Sequence, residues 1–103
     1  MANLYISFCD VGHPLTHGYG QQAAVVDGPS VVSQVLTTST SNAQSSAATK
    51  PFAYLVADAA SYVVVGSNPN AATETTKRVF LPANVPTIIA VEIGNKVAGV
   101  TIA

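Results

Sequence analysis

The sequence predicts an all-β fold, an antiparallel β-sandwich of about eight short strands. Three observations lead to it. Val, Ile and Thr are abundant, and such β-branched side chains suit a pleated, half-buried surface better than a helix. Apolar and polar residues alternate with period two in several stretches, the mark of a strand with one buried face. Between those stretches lie clusters of Gly, Pro, Asn, Asp and Ser that punctuate a chain, and no stretch carries a helical period.

Asn3 to Phe8 is the first strand, with Leu4, Ile6 and Phe8 on one face and Asn3, Tyr5 and Ser7 on the other. Cys9 to Gln22 holds Gly12, Pro14, Gly18 and Gly20 and reads as a long irregular loop. Ala23 to Asp27 is a short strand ending at the turn signal Asp27-Gly28-Pro29, and Val31 to Thr38 is a third strand. The Ser/Thr-rich run from Ser39 to Lys50 has no apolar period and is expected to be a surface loop or loose arm.

Phe52 to Ala57 and Tyr62 to Gly66 are expected to pair as a hairpin about Asp58-Ala59-Ala60-Ser61, with Phe52, Tyr54 and Val56 sharing a face. A polar loop follows Ser67-Asn68-Pro69-Asn70, then a strand from Thr76 to Leu81. Thr87 to Ile93 should turn Ile89, Val91 and Ile93 inward and Ile88, Ala90 and Glu92 outward. Gly94-Asn95 is a tight-turn signal expected to join it to Lys96–Ile102 as a second hairpin. Such strands with long loops suit two packed sheets of jelly-roll type. An immunoglobulin-like sandwich is the nearest rival, but the chain has no Trp and no Cys pair. The 103 residues fit a single domain.

Composition narrows the partners. Charged residues form 9% of the chain, against about 25% in an ordinary soluble domain. Lys50, Lys77, Arg78 and Lys96 form no stripe and the net charge is −1, so a nucleic-acid partner is not expected. A near-neutral surface of Ala, Ser, Thr and Val protects poorly against association, which points to a homo-oligomer or a larger assembly. The most apolar stretch, Phe52 to Gly66, is broken by Asp58 and Ser61 and too short to span a bilayer; no targeting signal is read either. Cys9 is the one cysteine, so no intramolecular disulfide forms, in keeping with a reducing cytoplasm.

The densest group of chemically able residues is Cys9-Asp10-Val11-Gly12-His13-Pro14-Leu15-Thr16-His17. His13, His17 and Cys9 are its candidate metal ligands, since zinc takes thiolate and imidazole, but their spacing matches no established zinc pattern and no metal or other cofactor is expected. The two histidines also depart from the His-x-His pair of the cupins. A Ser-His-Asp triad can be drawn on paper from nineteen Ser and Thr residues, yet there is no Gly-x-Ser-x-Gly elbow. Asp27 and Asp58 fall at turns, where Asp is favoured for local hydrogen bonds, so no carboxylate pair is expected to do acid–base work. The sequence therefore reads as that of a non-enzyme. Tyr5 and Tyr19 are the tyrosines best placed to meet a sugar or a protein partner, whereas Tyr54 and Tyr62 should pack about the hairpin they share.

The second half resembles the small β-sandwich proteins of tailed-bacteriophage virions, of the capsid decoration or cement type. The resemblance lies in Ala60-Ser61-Tyr62-Val63-Val64-Val65-Gly66-Ser67-Asn68-Pro69, in Lys77-Arg78-Val79-Phe80-Leu81-Pro82-Ala83, and in Ala90-Val91-Glu92-Ile93-Gly94-Asn95-Lys96-Val97-Ala98-Gly99-Val100. These are strand and turn signals, and they carry over no catalytic role. The resemblance implies a homodimer or homotrimer made in the host cytoplasm, which binds the outside of a phage head and bridges copies of the major capsid protein. Modest contacts suffice there, because bridging several subunits multiplies affinity through effective concentration. The first strand, the Cys9 to Gln22 loop and the Ser/Thr arm are the expected contact segments, with Tyr5, Tyr19, Ser39 and Asn42 as the partner-binding residues. The alternatives are a carbohydrate- or host-surface-binding head or tail module, and a small metal-dependent enzyme using His13 and His17.

Overall fold

The computed structural model describes residues 2–12, 25–26 and 31–102. Its strands are β1 Ala2–Cys9, β2 Val11–Gly12, β3 Val25–Val26, β4 Val32–Thr38, β5 Ala43–Gln44, β6 Phe52–Ala57, β7 Ser61–Gly66, β8 Val79–Leu81, β9 Thr87–Ala90 and β10 Lys96–Thr101. Eight of them form two antiparallel sheets of four, ordered β4-β1-β6-β9 and β5-β10-β7-β8, which pack face to face. The two remaining strands, β2 and β3, pair as a ribbon that continues the β1/β4 hairpin, with Val11 opposite Val26 and Gly12 opposite Val25. No helix occurs among the described residues.

The sheet order is that of a jelly roll with one change. A jelly roll divides its strands, in chain order, as first-eighth-third-sixth and second-seventh-fourth-fifth. Here β4 to β10 fill the first seven places in sequence, and β1 takes the eighth. The first strand of the chain thus stands in the middle of the first sheet, between β4 and β6.

The core follows from alternation. Leu4, Ile6 and Phe8 of β1 and Ala53, Leu55 and Ala57 of β6 point inward and are buried against Val63 of β7, Leu81 of β8 and Val97 of β10. Leu36, Val65 and Ile89 close its margins. Burying each large side chain contributes about 1.5–3 kcal/mol, so this layer accounts for most of the drive to fold. The sheets approach closely at Gly99, where an added Cβ would lie 3.1 Å from Leu4 Cδ2 and 3.4 Å from Thr38 Cγ2.

Neither expected hairpin of the second half forms. β6 lies in the first sheet and β7 in the second, and β9 and β10 are divided the same way. Each turn is a crossing between layers. At the first crossing the fully buried Ser61 donates its hydroxyl to the Ala59 carbonyl at 2.8 Å, so its polar group is satisfied within the corner. At the second, Gly94 takes φ +97°, its N–H donates to Ala48 O at 2.8 Å, and Val91 N–H donates to Pro51 O at 2.8 Å. β9 ends at Ala90, so Val91 is buried as expected but Ile93 stands 69% exposed in the turn. Tyr54 and Tyr62 consequently sit in different sheets.

The Ser/Thr-rich segment is tied rather than loose. It contributes β5, which pairs Ala43 and Gln44 with Gly99 and Ala98, and it buries Ser45 and Ala48. Ser45 N–H donates to Val97 O at 2.8 Å, and Ser45 Oγ accepts from Val97 N–H at 2.9 Å. One of the remaining strands is shorter than expected, since the strand ending at Leu81 begins at Val79; of Ala23–Asp27, the described residues Val25–Val26 are strand and the others lie outside the described residues.

Candidate functional site

The outer faces of the two sheets differ in kind. On the second sheet Val64 of β7 and Ala98 and Val100 of β10 point away from the main core, and all three are buried. They form a small second core with Ala71, with Tyr62 packed against it. The covering comes from the loop after β7. Its buried Pro69 accepts at its carbonyl from Asn42 Nδ2 at 3.2 Å and Gln44 Nε2 at 2.8 Å, and Ala71 N–H donates to Asn42 Oδ1 at 2.8 Å. Farther along, the Arg78 guanidinium lies 4.0 Å from the centre of the Tyr62 ring, and Phe80 meets that ring edge-on at 5.9 Å. The chain thus covers the middle of this sheet with its own residues, while Phe80 at the β8 edge stands 51% exposed.

Among the described residues no segment covers the middle of the first sheet in this way. Register places Val35, Tyr5 and Val56 in one row across β4, β1 and β6, and Ser33, Ser7, Tyr54 and Ile88 in the next. Val35 is 57% exposed, Tyr5 45% and Ile88 38%, while Val56 and Tyr54 are half-buried beside them. The only polar groups in these rows are hydroxyls, and those of Ser7 and Ser33 bond to each other at 3.0 Å. None of the four strands contains a charged residue.

Charge stands at the ends of the sheet instead. Asp58, just beyond β6, accepts from Asn3 N–H at 2.9 Å, and Lys50 pairs with Asp10 at 3.7 Å near the opposite end. An apolar, aromatic-bearing centre with charge at its margin is the anatomy of a protein–protein contact.

Of the residues expected to meet a partner, Tyr5 lies at the middle of this face. Ser39 follows β4, where its carbonyl accepts from Thr101 N–H at 2.8 Å and its hydroxyl from Ser41 N–H at 3.2 Å. Asn42 stands just before β5 of the other sheet, held by Pro69 and Ala71. Tyr19, His13 and His17 lie outside the described residues, and Cys9 is fully buried. Among the described residues no three His, Cys, Asp or Glu side chains gather as metal ligands would. Val35 was not singled out in the sequence; the signal for it was a strand rich in β-branched residues and without charge.

The chain is a small all-β domain of two packed antiparallel sheets. Comparison with protein-family models, with curated proteins and with solved structures found no match that would place it in a family.

Proposed function

We propose that this chain is a structural virion protein of the capsid decoration or cement type, which binds the outside of a phage head and bridges neighbouring capsid subunits without chemistry. The observation that carries the reading is the contrast between the two outer faces. One is covered over Val64, Ala98 and Val100 by the chain's own loop, with Phe80 exposed at its β8 edge, and the other leaves Tyr5, Val35 and Ile88 in water across its middle with no charge among them. Exposed apolar area costs about 25 cal/mol per Å², so a face of this kind is stabilised by a partner that covers it. The likeness of the second half to such proteins supplies the partner class, and repetition over a shell makes a modest contact sufficient.

The test is the protein's abundance in purified virions, measured by quantitative mass spectrometry against the major capsid protein. Decoration requires copies on the order of hundreds per particle, because cement acts at every equivalent site of the shell. A count of tens or fewer would replace the reading with a fibre or vertex module that meets a carbohydrate or host surface. Absence from particles would overturn both.

A further inference from the structure

We propose that two copies of this chain join edge to edge through β4, antiparallel about a two-fold axis at Val35, so that the first sheets merge into one sheet of eight strands. The inference names the homotypic contact within the assembly reading above and rests on it. β4 is the edge of its sheet, and among the described residues its backbone pairs with β1 alone. On the side away from β1 no described strand takes up its N–H and C=O groups, which are the template another strand would use.

The other three edges are poorer templates. β5 has two residues and β8 three, while β9 has four and follows directly on Pro86. β4 has seven, and its sequence Val-Ser-Gln-Val-Leu-Thr-Thr contains neither a charge nor a proline to discourage pairing. A two-fold axis brings each residue near its own copy, so any charge would meet itself; β4 has none.

Register follows from the faces. Complete overlap of two antiparallel copies sets Val35 opposite Val35 of the second copy, Ser33 opposite Thr37 and Gln34 opposite Leu36. Outward residues then meet outward residues and inward meet inward. A slip by one residue would set core-facing side chains against solvent-facing ones. The half-exposed Val35 pair would sit between the two Tyr5 rings, and the uncharged face would run unbroken across both copies.

Two measurements on the purified full chain decide it. Sedimentation equilibrium should find a dimer, and Val35→Lys, checked for an unchanged circular-dichroism spectrum, should weaken association by about fivefold or more by placing two like charges together. Independently of that variant's folding, Val35→Cys should give a disulfide-linked dimer under mild oxidant, because directly opposed residues lie within bridging distance. Ser33→Cys and Thr37→Cys, each displaced from the axis, should not. A strict monomer at high concentration overturns the pairing, as does cross-linking that is equal at all three positions or a dimer indifferent to Val35→Lys. So does a pure monomer that captures an extended segment of another protein along β4. Should the monomer still be present in hundreds of copies per particle, edge pairing fails and the decoration reading stands.

Discussion

Thr38 and Thr101 tie the two sheets together through a hydroxyl–hydroxyl hydrogen bond of 2.9 Å. Thr38 closes β4 in the first sheet and is almost fully buried; Thr101 closes β10 in the second. Either hydroxyl can donate. With Thr101 as donor, the Thr38 proton goes to the Ala2 carbonyl 3.3 Å away. A polar link in an apolar layer is stabilising only while each member is satisfied.

Thr38→Val keeps the volume and removes the link, and is expected to cost about 1–2 kcal/mol by leaving the Ala2 carbonyl short of a donor. Urea denaturation of Thr38→Val, Thr101→Val and the double variant closes a cycle with a coupling of about 0.5–1.5 kcal/mol. Additive losses would mean that the two hydroxyls do not act as a pair.

Gly99 is expected to tolerate no branched side chain. With Leu4 and Thr38 already at the limit of contact, Gly99→Val forces the sheets apart or twists β10, at a cost of about 1–3 kcal/mol. Thermal unfolding followed by circular dichroism checks this, and an unchanged midpoint would show that the layers can give at that point.

On the exposed face, Tyr5→Ser combined with Ile88→Ser is expected to leave stability within about 0.5 kcal/mol of the parent, since neither side chain enters the core. Binding to shells stripped of the protein should fall by at least about tenfold, because aromatic anchors carry a large share of contact energy. Undiminished binding by a folded double variant would move the contact elsewhere on the surface.

How far this arrangement was legible in the sequence depends on the range of each signal. The alternation of Leu4, Ile6 and Phe8 is local, and it gave both the strand and its buried face correctly. The same holds for Ile88 facing outward and Ile89 inward. Turn signals at Asp58–Ser61 and Gly94-Asn95 located the reversals, but a reversal within one sheet and a crossing between two use the same residue types. What separates them is the partner of each strand, a long-range property. β5 escaped notice because two residues carry no period. Its trace lay in its neighbour: Val97 to Val100 are all buried, which a strand achieves only when both faces and both edges are covered. Of the candidate surface, Tyr5 was legible, whereas the bareness of its whole face emerged only when four distant strands were laid side by side.

Electrostatics should matter little to this fold. The two ion pairs among the described residues, Lys50 with Asp10 and Lys77 with Glu74, both stand at the surface, and such pairs contribute about 0–1 kcal/mol. Raising ionic strength from about 0.01 M to about 1 M with sodium chloride should therefore change unfolding free energy by less than about 1 kcal/mol. A larger loss would reveal a charge network that these two pairs do not account for.

The place of β1 bears on how the molecule is made. In an unpermuted jelly roll the strand in that central position is made after the other seven; here it is made before them. Its two neighbours, β4 and β6, both precede Asp58, so three strands of one layer can assemble while the other layer is still being synthesised. The strands that face it, β7, β8 and β10, are made later, and until β10 joins the other two the layer over Leu4, Ile6, Phe8 and Leu55 is incomplete. Vectorial synthesis thus makes one layer the template on which the other is laid, and the nascent chain is most prone to aggregate in the interval between them.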